Sequence, residues 1–487
     1  MTPPPLAHDE PDSLLPEALD SAELAAVRDH RRTSTEIIAL TWPVILGQVM
    51  ANAVPLIDVL MLGRLGTPTL AAVGYAAQFL MLVQASLLAV GAACVALMAR
   101  ALGARDVARA RRSFAACLRI SLWLTGVLAA IALLFPRELL HLLAVKESVV
   151  QLAVPYFRLT LSSVPLMALA LGYEHAFRAA KDTLRPMLIA GSVSVLKISL
   201  NALLIFGHWG FPQLGLAGAG VATIASQAVA VLLFLRVARQ HANPALHLGL
   251  SDLRVPAAAM REAVSLAVPA VGERFVMTAA MLVYFRFLGG YGVEAVAAYN
   301  VGVRILAFTW IPGLGLSVAA ATLVGHALGA GDAALARRSG WLATRIGFLI
   351  SLALGTLFIA LRLPMARLFT DDARVIDALD PFILLLGIGL PFLVVHFTLA
   401  GALRGAGDTL TPLKSAILGN WVFRVPLSFL FANVLALPLF WIWAIMVADH
   451  VSRAIWLGWA FHTSDWQARV GAGMGDTTAD VSPARAS

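Results

Sequence analysis

The chain has 487 residues, of which 60% are hydrophobic and only 13% are charged. Soluble domains carry roughly a quarter charged residues, so this composition excludes a soluble globular protein. The apolar residues form blocks longer than about 18 residues, the length that crosses a bilayer as one helix. The net charge is +8, but the basic residues lie in short loops between these blocks. That pattern is typical of membrane topology and excludes a nucleic-acid partner.

Two further features limit the class of protein. Cys94 and Cys117 are the only cysteines and both lie in apolar blocks, so neither a disulfide framework nor a zinc site is expected. We expect no other metal and no cofactor. Residues 1–34 are polar and are predicted to be a solvated tail, with no cleavable signal peptide before the first span.

The apolar blocks predict an all-α membrane protein of twelve spans, because lipid requires every backbone hydrogen bond to be satisfied internally. The loops after even-numbered spans carry more arginine and lysine than those after odd-numbered spans. Since positive residues remain cytoplasmic, both termini are predicted to be cytoplasmic, in the inner (plasma) membrane. The predicted spans are 36–62, 70–99, 113–135, 150–176, 186–207, 215–237, 262–288, 294–326, 340–362, 377–402, 412–434 and 438–461.

An internal repeat relates the two halves of the chain at one constant offset. The stretch Ala101-Leu-Gly-Ala-Arg-Asp106 returns as Ala327-Leu-Gly-Ala-Gly-Asp332, and Pro43 corresponds to Pro269, so both pairs differ by 226 in sequence number. Each half has six spans, so the halves share one topology and form parallel repeats with a cavity between two lobes. This arrangement is typical of alternating-access carriers. The predicted division is a tail at 1–34, an N-lobe at 35–237, a cytoplasmic linker at 238–261, a C-lobe at 262–462 and a second polar cytoplasmic tail at 463–487.

At these residues the sequence resembles the multidrug and toxic compound extrusion (MATE) family, and within it the DinF-like prokaryotic branch. The resemblance covers residues 36–462 and rests on several motifs taken together. They are Leu56-Ile-Asp58-Val-Leu-Met-Leu-Gly63, the two Leu-Gly-Ala-x-Asp loops, and the paired turns Asp182-Thr-Leu-Arg-Pro186 and Asp408-Thr-Leu-Thr-Pro412. The resemblance implies a two-lobed antiporter that exports organic, often cationic, compounds in exchange for H⁺ or Na⁺.

Asp58 is the first candidate site residue, because ionisable groups within membrane spans are costly and are functional candidates by default. The resemblance implies that this aspartate takes up the coupling proton or helps to hold sodium. The alternative is a helix-end aspartate with no part in coupling. Gln48 and Asn52, one helical turn apart on the same span, are predicted to line the same cavity.

Lys197 departs from the family pattern, which commonly places Asn and, four residues later, Asp in span 5. Here those positions are Lys197 and Asn201. If the family fold holds, Lys197 faces Asp58; the alternative is that it meets backbone carbonyls or water. The loss of the second acidic ligand removes much of an oxygen-ligand sodium site, so the sequence favours protons.

Three residues of the second half are predicted to line the substrate cavity: Glu273, Tyr284 and Asn300. Glu273 is either a second titrating group or a structural partner of Arg274 or Arg424. The expected partners are a small-molecule substrate, the coupling ion and membrane lipid, and the chain is expected to act as a monomer.

Other classes of membrane protein fit less well. A lipid or lipid-linked oligosaccharide flippase of the same superfamily stays an alternative, favoured by Lys197 and Arg424, while the twelve spans and the paired turns favour MATE. A membrane enzyme would need paired catalytic groups within spans, and we expect none. His208, His396 and His462 are scattered or near span ends. A channel would need a repeated selectivity-filter element.

Overall fold

The computed structural model describes residues 21–142, 147–369, 371–466 and 468–469, and in this part of the chain every regular element is helical. The predicted all-α fold is confirmed. Residues 1–20 and 470–487, which make up most of the two predicted tails, lie outside the described residues.

The twelve predicted spans correspond to twelve helical segments. In the first half they are Ser21–Gly63, Thr67–Gly103, Val107–Leu134, the pair Glu147–Ser162 and Val164–Ala179, Leu184–Phe206, and Gly215–Gln240. In the second half they are Ala257–Leu288, Val293–Gly329, Ala333–Ala360, Ala373–Gly405, Leu410–Val434 and Leu439–Thr463. Short helices at Pro136–Leu142 and Arg362–Phe369 precede spans 4 and 10, and short 3-10 turns occupy His208–Gly210, Pro244–Leu246, Leu250–Leu253 and Gly289–Tyr291.

Span 12 differs from the others in polarity. Eleven of the described helices are long and apolar enough to cross a membrane. The segment Leu439–Thr463 has 25 residues but contains Asp449, His450 and Arg453, which lower its mean hydropathy. The charges in this span have partners, described below.

Span 11 contains two π-helical stretches, Leu418–Arg424 and Leu430–Val434, separated by the turn Val425–Phe429. Pro426 is the second residue after the first stretch and has no amide hydrogen for the helical ladder. Widened turns of this kind are frequently found at functional sites. Here the first stretch ends at Arg424, whose side chain is largely buried inside the C-lobe.

The two Leu-Gly-Ala-x-Asp loops start the helices that follow them. The Asp106 carboxylate accepts the backbone N–H of Arg109 at 2.8 Å, and the Asp332 carboxylate accepts that of Leu335 at 2.8 Å. Each aspartate therefore satisfies an amide that the first helical turn leaves unpaired. The repeat thus preserves a capping contact.

The two Asp-Thr-Leu-x-Pro turns act in the same way. Asp182 accepts the backbone N–H of Arg185 at 3.1 Å, and Asp408 accepts that of Thr411 at 2.9 Å. Burial opposes the ionisation of Asp408, but hydrogen bonds from Thr411 and Arg469 outweigh it and hold the pKa of this carboxyl below its usual value. Both turns therefore have a structural role.

The two lobes meet where spans 2 and 8 end. A Cβ on Gly103 would meet the carbonyl oxygen of His326, and a Cβ on Gly329, the repeat equivalent of Gly103, would meet that of Arg100. The ring Nε2 of His326 also donates to the Ala179 carbonyl at 2.8 Å. The glycines of the repeated motif therefore allow the two backbones to touch across the lobe boundary.

Replacing Gly103 by alanine is expected to weaken this contact by about 1–3 kcal/mol, because the added methyl group must displace a backbone carbonyl. Gly74, in the same helix, has open space where its Cβ would lie, so Gly74→Ala is the matched control. Thermal unfolding of the purified protein in detergent measures both variants. Equal unfolding temperatures for the two would contradict the proposed close approach.

The linker between the lobes lies against span 3. Arg111 Nη2 donates to the Pro244 carbonyl at 2.9 Å, and Arg119 Nη1 approaches the Leu253 carbonyl at 3.4 Å. Arg109 of span 3 also forms an ion pair with Glu262, at the start of the C-lobe, at 3.0 Å. The linker is therefore attached to the N-lobe helix bundle along its length.

Candidate functional site

The structure brings Asp58, Lys197 and Asn201 together inside the N-lobe. Lys197 Nζ donates to Asp58 Oδ2 at 2.6 Å, and Asn201 Nδ2 donates to Asp58 Oδ1 at 2.6 Å. The side chains of Lys197 and Asp58 are 19% and 18% exposed, and Asn201 is fully buried. Both oxygens of the carboxylate are therefore occupied by donors in a largely enclosed site.

The helices explain this arrangement. Lys197 and Asn201 are four residues apart, so they occupy the same face of span 5, and this face packs against span 1. Ser194 shares the face but donates to the Ala190 carbonyl of its own helix at 2.7 Å. Asp58 lies five residues before the end of the span 1 helix at Gly63.

The hydrogen bonds also fix the orientation of the Asn201 amide. An ionised carboxylate only accepts hydrogen bonds, so the amide nitrogen faces Asp58. The Asn201 Oδ1 is left buried without a hydrogen-bond partner among the described residues. A buried acceptor without a donor is costly, which makes this atom a ready acceptor for a new O–H group.

Gln48 and Asn52 lie deeper along span 1. At a rise of about 1.5 Å per residue they are roughly 15 and 9 Å from Asp58 along the helix axis. Gln48 is half-buried and Asn52 is exposed. The structure therefore places them on the same helix as the Asp58 site but not within it, and their cavity-lining role stays a prediction.

In the C-lobe, Glu273 is paired with Arg404, at the end of span 10. Arg404 Nη2 lies 2.8 Å from one Glu273 oxygen and 2.7 Å from the other, and both side chains are 14% exposed. The partners proposed from the sequence are Arg274 and Arg424. The predicted span 10 ends before Arg404, whereas the helix continues to Gly405.

A second C-lobe cluster surrounds Asp449 of span 12, whose side chain is fully buried. Arg453 Nε donates to Asp449 Oδ1 at 2.7 Å, and Arg424 Nη2 lies 2.9 Å from Asp449 Oδ2. One carboxylate therefore holds two buried guanidinium groups, on spans 11 and 12. Because burial of an unpaired charge is very costly, this cluster is a structural centre of the C-lobe.

Tyr284 and Asn300, the other predicted cavity residues, occupy different environments. Tyr284 is 1% exposed, donates to the Ile442 carbonyl at 3.0 Å and has the Arg424 guanidinium 5.5 Å above its ring. It therefore belongs to the buried packing around the Asp449 cluster. Asn300 is exposed.

A family comparison identifies the fold that holds these groups. The family model MatE matches residues 43–203 and 269–430, two segments that begin at the equivalent prolines of the repeat. The chain belongs to the MatE family of MATE transporters. Each matched segment lies within one half of the repeat, and the resemblance drawn from the sequence motifs is confirmed. The DinF-like branch stays a prediction.

Curated relatives of this MATE chain match over nearly their whole lengths. The "Probable multidrug resistance protein NorM" of Rhodopseudomonas palustris is 32% identical over 439 residues, which are 88% of this chain and 91% of that protein. The "Multidrug resistance protein NorM" of Burkholderia vietnamiensis is 26% identical over 461 residues, 93% and 95% of the two chains. These relatives are named multidrug resistance proteins, and the MATE family to which the chain belongs is a family of transporters rather than enzymes.

Solved structures share the fold of this MATE chain. The Vibrio cholerae MATE transporter VcmN in its bent form matches with a TM-score of 0.83 at 21% identity, covering 92% of this chain and 99% of VcmN. A MOP superfamily transporter from Pyrococcus furiosus, described by a reversed polarity of its binding pocket, gives a TM-score of 0.80 at 22% identity, covering 91% and 96%. The predicted twelve-helix, two-lobe architecture is therefore confirmed.

Sequence reasoning missed the Asp449 cluster and a histidine pair in this MATE chain. The rings of His396 and His450 stack 5.4 Å apart, and both ring nitrogens of His450 lack a hydrogen-bond partner among the described residues. Asp449, His450 and Arg453 are closely spaced polar positions in an apolar span. That interruption of the hydropathy was the available signal.

Proposed function

We propose that this MATE transporter exports organic, cationic or amphipathic compounds in exchange for H⁺, with Asp58 as the proton-binding group. The observation that carries the proposal is the Asp58 carboxylate held between Lys197 and Asn201 inside a membrane lobe. The names of the relatives support drug-like cargo rather than a lipid-linked oligosaccharide. We further propose that the chain acts as a monomer in the inner (plasma) membrane.

The donor arrangement favours H⁺ over Na⁺. Hard cations are bound by several oxygen ligands. At this site each Asp58 oxygen is engaged by a nitrogen donor, and the only further oxygen of the three side chains is Asn201 Oδ1. A sodium ion would have to displace the Lys197 ammonium, whereas a proton needs only to neutralise the carboxylate.

Exchange then follows from competition for Asp58. When Asp58 is protonated it gains an O–H donor and loses its attraction for Lys197. The Asn201 amide can rotate and accept this new donor at its unpartnered Oδ1. The released lysine remains charged and repels a cationic substrate, so proton entry is coupled to substrate exit.

The lobe contacts fit an alternating-access cycle. The contacts of Gly103, Gly329 and His326 join the lobes at the end where spans 2 and 8 finish. The distribution of basic loops favours a cytoplasmic position for this end and for both termini. We therefore interpret the structure as a state closed to the cytoplasm. In this state a proton would reach Asp58 from the opposite, outer side of the membrane.

Flux measurements in proteoliposomes test the proposal directly. With a panel of organic cations, an imposed ΔpH is expected to drive accumulation, and an imposed Na⁺ gradient at fixed pH is expected to have no effect. The double variant Lys197→Asn/Asn201→Asp, which restores the family pattern, provides the comparison and is expected to gain a response to sodium. Sodium-stimulated flux in the wild type would contradict proton coupling.

Removing the lysine alone is expected to shift the pH dependence. A nearby positive charge favours the ionised carboxylate, so in Lys197→Ala a proton is taken up more readily at a given pH. The pH profile of transport is therefore expected to move to higher pH. Lys414→Ala, a change outside this site, is the control. An unchanged profile in Lys197→Ala would exclude the lysine from coupling.

A further inference from the structure

A groove on the lipid-facing surface of the C-lobe has no part in the proposed transport cycle. It has a volume of about 790 Å³ and lies among spans 9, 10 and 12. Its basic lining residues are Arg337, Arg345 and His462, and its apolar wall includes Trp341, Phe348 and Leu349. Leu349 is 64% exposed, so this wall faces the surrounding lipid.

Five of the lining residues form one continuous stripe of span 9. Arg337, Trp341 and Arg345 are each four residues apart, which places them on one face of the helix, and Phe348 and Leu349 continue that face toward the membrane interior. The stripe therefore changes from basic to apolar along the membrane normal. A phospholipid has the matching order of a charged headgroup followed by apolar acyl chains. Its headgroup would lie at the end of the molecule that we propose to be cytoplasmic.

The two arginines have no acidic partner in the part of the chain that the structure describes. Within the described residues, neither Arg337 nor Arg345 forms an ion pair, and Arg337 Nη2 lies 3.3 Å from His462 Nδ1. Arg345 is exposed beside lipid-facing apolar residues. A charged group at such a position is costly unless it reaches the interface or an anion. Since helical side chains tilt toward the helix N-terminus, Arg345 points back toward Arg337.

The repeat shows what the equivalent arginines bind in the N-lobe. Arg111 and Arg119 are the repeat equivalents of Arg337 and Arg345, and they too share one face of a single helix. They point toward the Pro244 and Leu253 carbonyl oxygens of the interlobe linker, at 2.9 and 3.4 Å. The N-lobe pair is thus covered by oxygen acceptors from the chain itself, whereas the C-lobe pair borders an open groove.

We propose that this groove binds one anionic phospholipid, with its phosphate between Arg337 and Arg345 and its acyl chains along Phe348 and Leu349. Basic pockets between helices on the cytoplasmic side are suited to anionic headgroups. Aliphatic stems of arginine cover apolar surface while the charged ends meet the phosphate. Because His462 lies at the end of span 12, the lipid joins spans 9 and 12 and stabilises the C-lobe. The inference does not depend on the coupling ion.

Native mass spectrometry of the full chain with phosphatidylglycerol or phosphatidylcholine tests this site. The wild type is expected to retain phosphatidylglycerol in preference to phosphatidylcholine. The double variant Arg337→Gln/Arg345→Gln is expected to lower that retention by at least about fivefold. The control is Arg64→Gln/Arg367→Gln, which removes the same charge from exposed residues at the opposite end and is expected to retain the lipid.

Thermal unfolding supplies an independent measurement on the same proteins. Phosphatidylglycerol is expected to raise the unfolding temperature of the wild type and of the control, but not that of Arg337→Gln/Arg345→Gln. Equal retention by the two double variants would overturn the proposal, as would equal stabilisation by inorganic phosphate alone. A dimer that Arg337→Gln/Arg345→Gln loses would overturn it too, by assigning the groove to a second copy of the chain.

Discussion

Replacing Asp58 by asparagine is expected to reduce ΔpH-driven export by at least about tenfold while leaving the protein folded. Asparagine has nearly the same shape and can still meet Asn201, but it cannot take up a proton. It also leaves Lys197 permanently without a carboxylate partner. Initial rates of substrate accumulation in proteoliposomes under an imposed ΔpH measure this loss.

Two variants separate titration from general damage. Asp58→Glu keeps a titratable carboxyl and is expected to retain part of the activity. Asp371→Asn removes an exposed carboxyl outside the spans and is expected to transport at the wild-type rate. Undiminished proton-driven transport by Asp58→Asn would remove this residue from the mechanism, because a proton could then be carried without its carboxyl.

The helices and the repeat could be predicted because their signals are local. An apolar block of bilayer length must form a helix, and the offset between Pro43 and Pro269 is visible without any knowledge of packing. The family match begins at these same two residues. The helix ends were harder to predict, since polar or small residues such as Asp332 and Gly405 belong to the end of a span as readily as to a loop.

The pairing of charges could be predicted only where a family pattern supplied the contact between helices. Lys197 is placed opposite Asp58 in this way, and periodicity alone does not show that spans 1 and 5 touch. The pairing of Glu273 with Arg404 was missed because Arg404 lies beyond the predicted end of span 10. In the structure the helix reaches Gly405, and the long arginine side chain extends to span 7.

The Asp449 cluster shows the same difficulty. Asp449, Arg453 and Arg424 come from spans 11 and 12, and the hydropathy pattern indicates only that a charge interrupts span 12. Which residue neutralises that charge depends on helix rotation, which the π-helical stretch Leu418–Arg424 alters. Tertiary packing therefore decides a contact that no local rule specifies.

Replacing Asp449 by asparagine is expected to destabilise the C-lobe by about 3–5 kcal/mol, because two guanidinium groups lose their shared carboxylate. Arg453 is 4% exposed and Arg424 13% exposed, so water cannot solvate the positive charges that remain. Gly419 packs so closely against the same cluster that a Cβ there would meet Asp449 and Arg453, and its backbone would have to move for water to enter. Thermal unfolding in detergent, with and without anionic lipid, measures the loss.

Two comparisons identify burial as the cause of this effect. Asp380→Asn breaks the more exposed pair with Arg362, in which the Asp380 and Arg362 side chains are 28% and 38% exposed, and is expected to cost less than about 1 kcal/mol. The triple change Asp449→Leu/Arg424→Met/Arg453→Met removes every charge of the cluster and is expected to recover much of the lost stability, since well-packed apolar groups often replace a buried ion pair without loss. If Asp449→Asn unfolds at the same temperature as Asp380→Asn, the cluster is hydrated in the native protein and the carboxylate is not its structural centre.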